Sequence, residues 1–402
     1  MRVGVARETF PGENRVALTP AAVAALVKSK VEVHLEAGAG LAAGFPDAEY
    51  ESKGAKIVAD RAAVLSEADL IWQVRTYGAN PAGKDDLAHF RKGQTILGFA
   101  DPLSAGEAIR ALAETGVSLL AVELIPRITR AQAMDALSSQ ANLAGYKAVL
   151  LGAQLLPRVL PMMTTAAGTI QPARVFVLGA GVAGLQAIAT ARRLGAVVHA
   201  FDVRPAVKEQ VLSLGAKFVE LPLEQDGEDR GGYAREQSAE QQRRQAELLA
   251  KTLVEMDLVI TTAAVPGKKS PVLIPAEVVA NMKRGSVIID LAAERGGNCA
   301  LTEADRTVVK HGVTIVGATN LPSMVAYHAS LTYATNLLKL TQHLLNKEGQ
   351  LVFDTSDEIT AGALVCRDGE IVQPQVRQIL GLPPLPVVAP SPVADVPAAA
   401  TN

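Results

Sequence analysis

Residues 174–185 read Arg-Val-Phe-Val-Leu-Gly-Ala-Gly-Val-Ala-Gly-Leu, and a helical pattern follows to residue 194. An apolar strand running through Gly179, Gly181 and Gly184 into a helix leaves few folds open. The first glycine permits a tight turn, the second lets the backbone approach a pyrophosphate, and the third allows close helix–strand packing. The helix start then offers unpaired amides and a favourable dipole to phosphate. Asp202 ends the next apolar run, 18 residues after Gly184. A carboxylate there accepts from a ribose 2′-hydroxyl and repels a 2′-phosphate, which favours NAD over NADP. Arg204, two residues on, offers the opposite attraction, and Asp202 outweighs it because it holds the fingerprint position.

The surrounding sequence suits this reading. Strands are expected at 2–6, 31–35, 55–57, 70–74, 95–99 and 117–121, with helices between several of them. The first helix is expected at 19–29, with Thr19 as N-cap and Pro20 in its first turn. A second strand–helix series covers 174–178, 197–201, 258–261, 286–290 and 313–316. Such alternation argues for α/β units with parallel sheets. Two long helical stretches, 136–156 and 323–345, flank the second series. The expected fold class is α/β: two Rossmann-like domains with parallel sheets, joined by two long helices across a cleft. Residues 1–136 plus 322–372 would form the first domain, and 137–321 an inserted dinucleotide-binding domain. Residues 157–173 read as a Thr/Ala/Gly/Pro-rich connection. Residues 373–402 hold seven prolines and read as a disordered tail.

The chain has 402 residues, a net charge of −2 and 49% hydrophobic residues, so it is globular and has no global pull toward nucleic acid. Cys299 and Cys366 form no metal or disulfide framework, and the six histidines show no metal spacing, so no metal site is expected. The uncharged stretch between Arg174 and Arg192 has 17 residues, too few for a membrane span, and the strand, turn and helix account for it. Residues 224–247 mix Glu, Gln, Arg and Gly. They read as a solvated loop and helix, or as a mobile lid hinged at Gly231 and Gly232 beside Tyr233.

One polar constellation stands apart. Residues 126–140 read Pro-Arg-Ile-Thr-Arg-Ala-Gln-Ala-Met-Asp-Ala-Leu-Ser-Ser-Gln. Arg127, Gln132 and Asp135 precede the first linking helix and so fall at the mouth of an interdomain cleft. A Gln amide there suits a carboxamide, and an Arg–Asp pair suits a rigid loop. An ordinary helix start with Asp135 as cap is an equal reading.

With these segments in view, residues 1–372 resemble the NAD(H)-binding alpha subunit (domain I) of proton-translocating NAD(P) transhydrogenase, and more distantly alanine dehydrogenase. The opening Glu-Thr-Phe-Pro-Gly-Glu-Asn-Arg-Val-Ala-Leu-Thr-Pro at 8–20 is common to both families. Residues 126–146 are far more specific to transhydrogenase, and Gly231-Gly232-Tyr233 resembles its mobile loop. The resemblance implies that Arg127, Ile128, Thr129 and Gln132 meet the nicotinamide end. It implies Val182 at the pyrophosphate and Asp202, Val203 and Arg204 at the adenosine end. Gly232, Tyr233, Gln245 and Ala264 are further implied contacts, although many relatives carry leucine where Ala264 stands. The catalytic set would be Gln132, Arg127 and Asp135.

The implied activity is Re/Si-specific transhydrogenation, with NAD(H) bound here and NADP(H) on a partner subunit. Membrane-spanning partners would couple it to proton translocation. The chain would be a homodimer, cytoplasmic and peripheral on the inner face of the inner membrane. An alanine dehydrogenase-like oxidoreductase is the alternative, since Arg15 matches that family's substrate arginine. Arg75 stands near its lysine, however, Glu294 stands where it has an aspartate, and residues 97–103 lack its histidine. A non-enzymatic NAD(H)-sensing module is the other alternative.

Overall fold

In the computed structural model, which describes residues 1–220, 239–265 and 267–385, the chain folds around two sheets. The first runs, in spatial order, Glu370–Ile371, Leu364–Arg367, Ser118–Ala121, Thr95–Phe99, Leu70–Arg75, Arg2–Val5, Glu32–Glu36 and Lys56–Val58. Its six N-terminal strands are all parallel. The second runs Lys217–Phe218, Val197–Phe201, Arg174–Leu178, Leu258–Thr261, Val287–Asp290, Val313–Gly317 and Thr307–Lys310. It is parallel except for the Thr307–Lys310 edge.

Both sheets place their first strand inside, with the second and third to one side and the fourth and fifth to the other. The strand order therefore reverses beside each first strand, and the crevice beyond its C-terminal end is where ligands bind in such folds. In the second sheet that strand is Arg174–Leu178, which leads into the glycine turn. Its interior residues are apolar and buried, as expected of a strand covered on both faces by helices.

Two helices cross between the sheets, Ala136–Leu155 and Ala326–Leu344. They are tied to each other: Ser139 Oγ donates to Asn336 Oδ1 at 2.7 Å, and Gln140 Nε2 donates to the Ala329 carbonyl at 3.1 Å. The first also presses on the phosphate-turn helix Val182–Arg193. A Cβ on Gly145 would lie 2.0 Å from the Ala183 carbonyl oxygen, so the two backbones touch there.

Several expectations are corrected. The turn helix begins at Val182, three residues before the expected start, because Gly184 lies inside its first turn. Thr19 is the N-cap of Pro20–Lys28, but its hydroxyl makes no capping bond. Residues 157–173 contain a hairpin, Met163–Thr165 paired with Gly168–Ile170, exposed throughout. A 3-10 turn, Leu321–Val325, precedes the second linking helix. The expected tail does not begin at Gln373. Gln373 caps a short helix, Pro374–Ile379, its Oε1 accepting from the Val376 amide at 3.0 Å. Val376 is buried, and Arg377 donates to the Ile371 and Pro383 carbonyls. The strand Leu364–Arg367 pairs antiparallel with Ser118–Ala121 and completes the first sheet. Of the expected lid at 224–247, residues 224–238 lie outside the described residues, and the rest falls in the helix Ala239–Leu253.

Candidate functional site

Gly179 ends its strand with φ +92°, and its amide donates to the Phe201 carbonyl at 2.9 Å. Thr262 closes over it, its hydroxyl 3.0 Å from the Gly179 carbonyl and 3.2 Å from that of Leu178. A Cβ on Gly184 would stand 1.9 Å from the Gly179 carbonyl oxygen. Gly181 differs: a Cβ there would meet only the Arg204 guanidinium, at 4.0 Å. The backbone thus faces open space where a pyrophosphate would approach, above first-turn amides that have no intrahelical acceptor. This arrangement fits a dinucleotide.

Asp202 is 8% exposed, and its carboxylate is fully engaged within the chain. Oδ2 accepts from the Ala180 amide at 2.7 Å, which fixes the turn. Both oxygens accept from Arg204, through Nε and Nη2 at 2.9 Å each, and Oδ1 also accepts the Arg204 amide at 2.9 Å. The two residues that read as rivals for the ribose edge therefore form one bidentate pair. Val203 between them packs against the core cluster to which Phe176 and Phe201 belong.

The second part of the site is a cleft of about 370 Å³ lined by Pro126, Arg127, Ile128, Thr129, Gln132, Asp135 and Ser138. The 3-10 turn Thr129–Met134 carries it, with Ala131 buried beneath and Arg127, Thr129 and Gln132 exposed. Asp135 plays the capping part: it accepts from the Ser138 amide at 2.8 Å and the Ser138 hydroxyl at 2.5 Å. It lines the same cleft as Arg127 and Gln132. One helix joins cleft and turn. Asp135 caps it, and Gly145, roughly 15 Å further along at 1.5 Å per residue, touches the phosphate-turn helix.

Ala264 is exposed just beyond the strand Leu258–Thr261, close in sequence to the Thr262 contact. Gln245 falls within the helix Ala239–Leu253. Gly232 and Tyr233 lie outside the described residues.

Sequence reasoning missed a buried tie that holds the 262–264 segment. Asp290, fully buried, accepts from the Thr261 hydroxyl, the amides of Ala292, Asn298 and Cys299, and the Thr302 hydroxyl. It thereby fixes Asn298, whose amide group pairs with both backbone groups of Ala263, at 3.0 and 2.8 Å. The glycines at 296 and 297, with φ +94° and +80°, were the available signal of a turn reversing toward the site.

A charged cluster spans the cleft between the two sheets. Arg15, 4% exposed, donates to Glu13 through Nε (2.8 Å) and Nη2 (2.6 Å). It also donates to Gln140 Oε1 at 2.9 Å and Asn320 Oδ1 at 3.0 Å. Burial pulls the Glu13 carboxyl up, but the Arg15 guanidinium outweighs it and holds it below the usual carboxylate range. Arg75 lies over the Phe10 ring and pairs with Glu13 and Glu294. Next to Glu294, Arg295 reaches Asp101 and Ser104 in the turn after the strand Thr95–Phe99.

Two Rossmann-type sheets, a glycine turn open at its second glycine and a polar cleft on the linking helix define a two-domain, dinucleotide-binding protein of the dehydrogenase class. Family models agree. Residues 4–144 match the N-terminal domain, and residues 148–374 the C-terminal domain, of alanine dehydrogenase/PNT. The chain belongs to the alanine dehydrogenase/PNT family. The first part of NAD(P) transhydrogenase subunit alpha of Rhodospirillum rubrum is 50% identical over 377 residues, 93% of this chain and 98% of that one. NAD(P) transhydrogenase subunit alpha of Cereibacter sphaeroides is 45% identical over 93% of this chain and 71% of its own length. Alanine dehydrogenase of Bacillus subtilis is more distant, at 28% over 95% of each chain. Among solved structures, the transhydrogenase of Sinorhizobium meliloti superposes with a TM-score of 0.80 at 43% identity, covering 93% of this chain and 99% of that one. An L-alanine dehydrogenase gives 0.77 at 26%, covering 95% and 99%.

Proposed function

We propose that this chain is the NAD(H)-binding subunit of a proton-translocating NAD(P) transhydrogenase. When bound, the dihydronicotinamide supplies a hydride, which passes directly to NADP⁺ on a partner subunit. The single observation that carries this reading is the cleft at 126–138. Its lining offers a guanidinium, a hydroxyl and a carboxamide to orient a nicotinamide. Its one carboxylate, Asp135, is engaged as a helix cap by the Ser138 amide and hydroxyl, and among the described residues that lining holds no histidine or lysine to take a proton from a substrate. A reaction that only moves hydride between two rings needs positioning and exclusion of water, not a general base.

In this reading the first-turn amides and Gly181 seat the pyrophosphate, and the Asp202–Arg204 pair meets the adenosine ribose. Arg127, Ile128, Thr129 and Gln132 orient the nicotinamide. The state of Arg15 weighs against the amino-acid dehydrogenase alternative. A substrate arginine must present donors to a carboxylate, whereas Arg15 donates to Glu13, Gln140 and Asn320. The well-furnished cleft weighs against a purely sensing module.

A homodimer is part of the proposal. An isolated two-stranded hairpin is marginal in water, yet Met163–Thr165 and Gly168–Ile170 stand exposed, with Met162 at 64% and Ile170 at 45% exposure. A second copy is the occupant that the proposed dimer supplies. No helix among the described residues is long and apolar enough to cross a membrane. In the transhydrogenase reading, attachment to the inner face of the inner membrane runs through partner subunits.

The test is hydride exchange. The purified chain is mixed with NADH, an NADP analogue and the NADP-binding component of a related transhydrogenase, with pyruvate, ammonia and NADH in parallel. Exchange only with the second component, and no pyruvate reduction, is the expected result. Pyruvate reduction by this chain alone would overturn it.

A further inference from the structure

The loop that carries Arg127 and Gln132 is mounted at two points. Beneath it, Asn336 of the second linking helix donates Nδ2 to the Ala133 carbonyl at 2.9 Å, and Ser139 holds the other end of that amide. At its outer edge Arg130 turns away from the cleft. Its Nη1 meets Asp357 Oδ1 at 2.5 Å, and its Nη2 donates to Glu358 Oε1 at 3.2 Å.

Asp357 is no ordinary surface carboxylate. Its Oδ2 accepts from the amides of Ile359 and Thr360 at 3.1 and 3.0 Å, which caps the helix Glu358–Ala363. The same oxygen lies 2.9 Å from His343 Nε2, at the end of the second linking helix. Burial would raise this carboxyl, but the Thr360 amide, Arg130 and His343 hold it well below the usual carboxylate range. An isolated exposed ion pair contributes little, because both side chains must be immobilised for it. Here Asp357 is already fixed by two helices, so the pair restrains Arg130 alone. Arg130 immediately follows Thr129 and stands two residues before Gln132. Its tether therefore acts on the backbone that aims both side chains into the cleft.

We propose that Asp357, acting through Arg130, is a positioning residue for hydride transfer: it fixes the cleft loop, and with it Gln132, without touching the ligand. The inference rests on the transhydrogenase reading above. It assigns a task to a segment far from the loop in sequence, Glu358 being 228 residues from Arg130, which the nucleotide-binding elements leave unused.

The test uses Arg130→Gln, Asp357→Asn and the double variant in the full chain. Asparagine also serves as an N-cap, so Asp357→Asn keeps the helix start. Arg130 is half exposed, so Arg130→Gln spares the fold. Amide hydrogen exchange across residues 128–134 should quicken by about fivefold in each single variant and no further in the double. Single-turnover hydride transfer to the NADP component should slow by about five- to tenfold, with NADH affinity held within about twofold. Unchanged exchange in the loop, additive effects in the double variant, or NADH affinity falling in step with the rate would each overturn the proposal. If the wild-type chain transfers no hydride at all, the transhydrogenase reading fails by itself. The role of Asp357 in hydride transfer falls with it, while the exchange measurement still decides whether the mount exists.

Discussion

The carbonyl oxygen of Gly179 occupies the place where a side chain on Gly184 would begin, 1.9 Å from an ideal Cβ. Gly181, two residues from Gly179, has nothing nearer than 4.0 Å. The two glycines of one turn thus serve different ends, and alanine separates them. Gly184→Ala must push the helix off the strand and should cost about 2 kcal/mol or more, as overpacking against backbone does. Gly181 has an ordinary negative φ, so Gly181→Ala should change stability by less than about 0.5 kcal/mol. Its methyl would project into the space of the pyrophosphate and weaken NADH binding by about tenfold or more. Thermal unfolding and NADH fluorescence titration give the two readings. Equal behaviour of the two variants in both would contradict the assignment.

Asp202 holds Arg204 in a bidentate grip, and the pair is proposed to meet the edge of the adenosine ribose. Asp202→Ser removes the negative charge that repels a 2′-phosphate and leaves the guanidinium at the same edge. The ratio of NADPH to NADH affinity should rise by about tenfold. A ratio that stays at the wild-type value would place the ribose elsewhere.

Gln132 is exposed in the cleft on a loop held at Arg130 and at Ala133, on either side of it. Shortening it by one methylene in Gln132→Asn draws the amide back by about 1 Å while keeping its chemistry. Misplacement on that scale costs up to about 100-fold in rate. Hydride transfer should therefore slow far more than NADH affinity falls. Parallel losses of rate and affinity would show that Gln132 only binds.

Glu8 provides a pH signature. Its carboxylate accepts from the amides of Val74 and Arg75, at 2.6 and 3.2 Å. Burial, aided by the charge of Glu13, nevertheless pushes its pKa up to about 7 from the ordinary 4.5. The folded state then keeps a proton that the unfolded chain has already lost between those values. Its contribution to stability accordingly falls as pH rises from about 4.5 to about 7, and is level above. Glu8→Gln removes the titration. The stability difference, wild type minus variant, should drop by on the order of 3 kcal/mol across that window. Denaturant unfolding at pH 5, 6, 7 and 8 measures it, and parallel curves would refute the assignment.

Much of this architecture was legible because its signals are local. The strands Thr95–Phe99, Arg174–Leu178, Val197–Phe201 and Leu258–Thr261 match the expected bounds, since each is a short, mostly apolar run, and all but Val197–Phe201 are buried almost throughout. The edge strand Thr307–Lys310 and the hairpin at 163–170 escaped notice because they are largely exposed and carry no burial pattern. Proline content hid the helix Pro374–Ile379, whose hold on the fold comes from one buried valine and one arginine. The glycine turn and the 126–140 loop could be proposed from sequence because the residues of each lie in a single stretch. The Asn298–Ala263 tie joins residues 35 apart, Arg15 and Gln140 are 125 apart, and Arg15 and Asn320 are 305 apart. No spacing rule reaches such partners. Asp135 admitted two readings because it does two things, capping a helix and lining the cleft.

Where Gly145 meets Ala183, two helices touch through backbone, with no side chain between them to yield. Side chains at a helix crossing act as springs, absorbing small shifts by changing rotamer. Here the closest approach is backbone to backbone, with the Asn142 amide donating to Gln186 Oε1 at 3.3 Å beside it. The spacing of the two helices is fixed where they cross, and the helix that carries the crossing is the one Asp135 caps at the cleft loop. Glycine turn and cleft loop are thus bolted to one beam, so that the distance between them is a property of the scaffold.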